Sequence, residues 1–131
     1  MAADPQAPHG VVCWSELAVH DVARAQTFYA ETLGWRFEPM TMPDMTYWII
    51  CCGEARVGGM FEMKGAAFDG VPEHWLTYIA VDDIDARLAK AAAAGAKICK
   101  DAFDIPGVGR MAVLAEPGGA VVAWMTPRPA A

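Results

Sequence analysis

The chain has 131 residues, 55% of them apolar and 20% charged, with a net charge of −6. That is one domain's worth of chain with ample material for a core, so global disorder is excluded. The acidic balance, with no local run of Lys or Arg, argues against nucleic acid as a partner. No apolar run reaches the ~18 residues of a membrane span, and the opening MAADPQAPHG lacks the basic start and apolar stretch of a signal peptide.

Residues 1–10 read as a flexible polar arm. Val11 to Val19 is β-rich and reads as a first strand. Asp21 can cap a helix in which Val22, Ala25, Phe28, Tyr29 and Leu33 fall at helical spacing, and Gly34 stops it. Trp35 to Met40 is a short strand closed by prolines. Thr46 to Cys52 is apolar at both parities, so both of its faces should be covered. After the Gly53-Glu54 turn, Ala55 to Glu62 is a fourth strand containing Gly58-Gly59, a pair that fits a bulge or a close approach. Residues 64–72 are a Gly- and Pro-punctuated connector.

The order then restarts. His74 to Val81 is a strand, Asp82-Asp83 precedes a helix with Ile84 and Leu88 on one side, and Gly95 stops it. Ala96 to Cys99, Arg110 to Ala115 and Ala120 to Met125 are three further strands, and 127–131 is a Pro-containing tail. Leu17 to Val22 lies over Ile79 to Ile84, Gly34 over Gly95, and Gly53 to Val57 over Gly118 to Val122. Three matches in one order imply a duplication. The fold class is therefore α+β: two tandem βαβββ units, about 11–63 and 73–126. With one helix per sheet, each unit keeps a second apolar face, and the two faces are expected to form a curved mixed sheet around a cavity.

Cys13, Cys51, Cys52 and Cys99 contain no C-x-x-C pair. They read as small buried thiols of a reducing, cytoplasmic protein, with Cys51 and Cys52 on opposite strand faces.

The segment from Trp14 to Trp35, WSELAVHDVARAQTFYAETLGW, with VDDID at Val81 to Asp85 and EPGGA at Glu116 to Ala120, resembles the glyoxalase/bleomycin resistance/dioxygenase superfamily, also called vicinal oxygen chelate proteins. The likeness covers about 11–126. It implies the fold above, a homodimer, and a small organic molecule as ligand. Metal-dependent members carry His, Gln or Glu at four strand positions. Aligning the two units places these at Trp14, Gly58, Leu76 and Ala123, none of which has a ligating side chain. No metal and no cofactor is therefore expected, and the chain reads as a single-domain member without the usual ligands.

Other side chains could carry chemistry. Glu16 shares the face of Trp14, in the middle of an apolar strand where a carboxylate is costly unless paired. It is either a general base or ligand anchor, or a buried structural acceptor. His74 shares the parity of Leu76 and Tyr78 and is a candidate acid or base at a cavity mouth; a surface histidine is the alternative. Trp14, Tyr47, Arg56, Met60, Leu76, Tyr78 and Ala123 are the expected cavity lining. Arg110 could meet an anion. No G-x-S-x-G, P-loop, H-E-x-x-H or dinucleotide motif occurs. Three functions stay open: binding of a small organic molecule in a metal-free, apolar and aromatic cavity; metal-independent isomerisation or lysis with Glu16 as base; and metal-dependent glyoxalase-type lysis, which needs ligands not found.

Overall fold

The computed structural model describes residues 6–127. They group into two units: Ser15–Trp75, and residues 6–14 together with 76–127, so the strands Val12–Val19 and His74–Ala80 each straddle the division. The strands and helices follow the order β-α-β-β-β twice, and the protein is α+β.

Unit 1 is built on β1 (Val12–Val19), α1 (Val22–Leu33), β2 (Arg36–Thr41), β3 (Thr46–Cys52) and β4 (Ala55–Glu62). Its sheet runs β2-β3-β4-β1, with β1 parallel to β4 and the other pairs antiparallel. Asp21 caps α1 by accepting the Arg24 N–H at 3.0 Å. Gly34 ends it at φ 71°, a left-handed conformation that spares the chain a Cβ clash. Leu17, Val19, Ile50 and Met60 turn to α1 and close on Ala25, with Tyr29, Trp35, Phe37 and Trp48 packed around them. That alternation leaves Glu16 and Tyr47 on the opposite face of the sheet.

Unit 2 repeats the plan with β5 (His74–Ala80), α2 (Ile84–Ala93), β6 (Lys97–Ile105), β7 (Gly109–Ala115) and β8 (Val121–Pro127), in sheet order β5-β8-β7-β6. Here β5 is parallel to β8, and α2 is capped by Asp83. Val81, Ile84 and Ala112 form its helix-side core, with Leu88 and Trp124 against it. The last residues before β1 are not loose. Gly10 and Val11 exchange backbone hydrogen bonds with Ala80, and His9 Nδ1 accepts the Asp82 N–H at 3.0 Å.

Two expectations need correcting. Strand β6 runs to Ile105 rather than Cys99, because register shifts at Ile98/Lys100 and Lys100/Phe103 break the alternation by which a strand is read. Of the four free cysteines only Cys51 is buried; Cys52 and Cys99 are exposed and Cys13 is intermediate. Cys52 closes β3 facing outward, and Cys99 sits where β6 is irregular.

Candidate functional site

Among the described residues Glu16 is the one buried charged side chain, 7% exposed, in the middle of β1. A carboxylate in such a place needs donors. The Tyr47 hydroxyl, from β3, donates to Glu16 Oε2 at 2.7 Å, and Tyr47 is itself buried. The two strands are separated by β4, and the phenol reaches across it because β4 has a glycine there. Glu16 is the register partner of Gly59. A Cβ at 59 would fall on the hydroxyl and ring carbons of Tyr47. The neighbouring Gly58 is required for a different reason: its Cβ would run into the Ser15 carbonyl oxygen. The two glycines thus serve two contacts, one with a backbone and one with a phenol.

The register also corrects the alignment of the units. Glu16 pairs with Gly59 in unit 1 as Tyr78 pairs with Ala123 in unit 2. The β4 position equivalent to Ala123 is therefore Gly59, not Gly58. The cause is the irregularity between Ile50 and Cys51, where the pairing passes from Gly58 to Arg56 and skips Val57. The same bookkeeping makes Tyr47 the equivalent of Met111, since Trp48–Met60 and Ala112–Trp124 are matching pairs. In unit 2 the Tyr78 hydroxyl points to Met111 Sδ at 3.7 Å. A carboxylate and phenol in unit 1 thus occupy the places of a phenol and thioether in unit 2.

The remaining candidates scatter. Trp14, Tyr78 and Ala123 are buried and Leu76 is intermediate, all within unit 2. Met60 is wholly buried but faces α1, in the core with Leu17 and Ile50, so it does not share the face of Glu16. Arg56 is exposed beside the bulge, where strict alternation fails, and among the described residues no ion pair includes it. Arg110 is committed to Asp85, at 3.0 and 3.1 Å, and to Asp104.

His74 does not join Glu16. It is exposed, with Nδ1 2.8 Å from the Pro72 carbonyl oxygen. It borders a pocket of about 300 Å³ on the α1 side of unit 1, with Leu17, Val19, Phe28, Tyr29 and Trp75 among its walls. Sequence reasoning missed this pocket. Its signal was the exposed Phe28 and Trp75, beside Tyr29 stacked on Trp35 at 4.9 Å. At its rim Glu73 accepts from Arg24 at 2.6 Å and from the His20 N–H at 2.8 Å. The Arg24 guanidinium, then the His20 amide, hold the Glu73 carboxyl below its ordinary range.

A family model, bleomycin resistance protein-like N-terminal, matches residues 12–48. A "Putative glyoxylase" of Mycobacterium tuberculosis is 40% identical over 121 residues, which are 92% of this chain and 45% of that protein. This chain belongs to the glyoxalase/bleomycin resistance/dioxygenase superfamily. An anthracycline biosynthesis protein of Streptomyces peucetius is 28% identical across 87% of the chain and 46% of its own length. The chain spans about half the length of the curated relatives it matches. Solved structures agree on the fold. A methylmalonyl-CoA epimerase from Mycobacterium tuberculosis superposes with TM-score 0.66 at 16% identity, covering 92% of this chain and 89% of that one. A hypothetical protein from Bacillus halodurans gives 0.69 at 17%, covering 93% and 97%.

For a glyoxalase-superfamily chain the donor set is unusual. The positions aligned with metal ligands carry Trp14, Gly59, Leu76 and Ala123. An indole N–H only donates, and the other three have no ligating atom. The place a side chain at 59 would take is filled by Tyr47. Among the described residues no cluster of three or more His, Cys, Asp or Glu could hold a metal ion. The residues present do not fit a divalent cation, and no step is derived through one. What unit 1 does offer is a carboxylate acceptor and a phenolic donor in contact, on an apolar sheet.

Proposed function

We propose that this glyoxalase/bleomycin-resistance-like protein binds a small organic molecule without a metal ion, with the Glu16–Tyr47 pair as polar centre. The observation that carries the reading is the buried carboxylate of Glu16, held by a phenol at 2.7 Å on the sheet face turned away from α1. Burying a charge there costs stability, and an apolar residue at 16 would avoid that cost. Met60 and Arg56 are withdrawn from the lining on the placements above. The protein is proposed to work in the cytoplasm as a homodimer.

A second reading makes the protein a metal-independent isomerase or lyase. It is favoured by the contact itself, since a carboxylate and a phenol in hydrogen-bond reach can take and return a proton. Glu16 would be the base and Tyr47 the acid, whereas His74 borders the α1-side pocket.

The test is a thermal-shift screen of wild type and Glu16→Gln, with product formation followed in parallel. Planar aromatic and small carbonyl compounds come first, because the relatives' names point to both. Stabilisation of wild type that is weakened in the variant supports binding at Glu16. Turnover by wild type alone supports the enzyme reading. Equal stabilisation of both proteins by every active compound would sink the proposal.

A further inference from the structure

We infer that Tyr47 and Gly59 form an interlocked pair that makes Tyr47 the positioning residue of Glu16 and shuts β4 against any second polar side chain beside it. The proposal rests on the Glu16-centred reading above, but not on the identity of any ligand.

Three observations carry it. Glu16 and Gly59 are direct partners on parallel neighbouring strands, so a side chain at 59 would project from the same face, next to the carboxylate. The volume such a side chain needs is already taken by the Tyr47 hydroxyl and ring. That same hydroxyl ends on Glu16 Oε2 at 2.7 Å. One phenol therefore does two things: it donates to the carboxylate, and it excludes the His, Gln or acid that would make a chelating pair with it. The glycine is required by the phenol, not by its backbone, because Gly59 is absent from the glycines with positive φ. In unit 2 the equivalent position is Ala123, which has a Cβ, and the equivalent of Tyr47 is the flexible Met111. The requirement for glycine thus appears only where the phenol does.

Chemically, the Glu16 carboxylate accepts a hydrogen bond from the Tyr47 hydroxyl. The phenol fills the volume beside the carboxylate from which a second ligating side chain would have to reach. The class of ligand that suits such a centre offers a hydroxyl or amine proton, not a metal-chelating pair of oxygens.

The experiment uses the whole chain and four variants: Gly59→Ala, Tyr47→Ala, the double variant Tyr47→Ala/Gly59→Ala, and Tyr47→Phe. Thermal unfolding reads the interlock. Gly59→Ala should lower Tm by roughly 5–10 °C in the wild-type background and by much less in the Tyr47→Ala background. Should Gly59→Ala fail to fold, recovery of folded protein in the double variant gives the same answer. Equal losses in both backgrounds, or none in wild type, would overturn it. Carbon-13 NMR titration of glutamate carboxyls, with Glu16→Gln for assignment, reads the positioning. Tyr47→Phe keeps the ring but removes the donor, so the Glu16 titration should move up. An unmoved titration would overturn the positioning role even if the steric coupling held. A ligand screen without hits would count against the binding reading alone and leave both measurements standing.

Discussion

The two units share an element order and a register, yet they spend equivalent positions differently. In unit 1 the pair across β1 and β3 is Glu16 with Tyr47; in unit 2 the pair across β5 and β7 is Tyr78 with Met111. A hydroxyl facing a thioether makes a weak hydrogen bond. A phenol facing a carboxylate makes a charge-assisted one, in a setting where leaving either group unpaired is expensive. Duplication supplied the frame, and one unit kept a polar centre in it.

The largest expected effect tests the helix-side core, which the comparison treats as neutral ground. Met60→Ala should cost ~2–5 kcal/mol in urea unfolding, because Met60 is wholly buried against α1. Ligand-induced stabilisation should survive in the folded variant. Selective loss of ligand response with little loss of stability would return Met60 to the binding face.

Next comes the same deletion made in each unit. Tyr47→Phe should cost about 1.5–3 kcal/mol, since it strips a donor from a buried carboxylate. Tyr78→Phe, the matching change in unit 2, removes the hydroxyl that lies 3.7 Å from Met111 Sδ and should cost less. Chemical denaturation of the two variants side by side measures the difference. Equal costs would erase the distinction between the units.

The smallest effect is the acid response of the surface pairs. Hydrogen bonding to Arg24 lowers the Glu73 pKa in unit 1, while Arg87 and Arg110 do the same for Asp82 and Asp85 in unit 2. A lowered folded pKa means the stabilisation is complete above the unfolded carboxylate value, near ~4. It fades as pH falls through the folded values. These groups are exposed, so the change is small and shrinks in salt. Tm measured from pH 5 to pH 2 at low and high salt should show it. In Asp82→Asn the low-salt drop should be shallower; an unchanged drop would deny that pair a role.

Much of this protein was legible in the sequence because local chemistry dictated it. The cap at Asp21, the stop at Gly34, the apolar run of β3 and the repeated order all follow from single residues and their spacing. So did the isolation of Glu16 as a carboxylate among apolar neighbours. Parity alone could also place Tyr47 and Trp48 on opposite faces. What failed were the inferences that needed an unbroken register. The bulge near Ile50 shifted the equivalent of Ala123 from Gly58 to Gly59, and the irregularities of β6 hid that strand beyond Cys99.

The sequence by itself determined the two βαβββ units, their helix ends, and the absence of ligating side chains at Trp14, Leu76 and Ala123. Only the tertiary structure decided that Tyr47 crosses β4 to reach Glu16, that Gly59 exists to let it pass, and that Met60 and His74 turn elsewhere. The physical reason is that capping and alternation act between near neighbours in the chain. A contact spanning 31 residues is fixed by strand register, and one skipped residue is enough to change it.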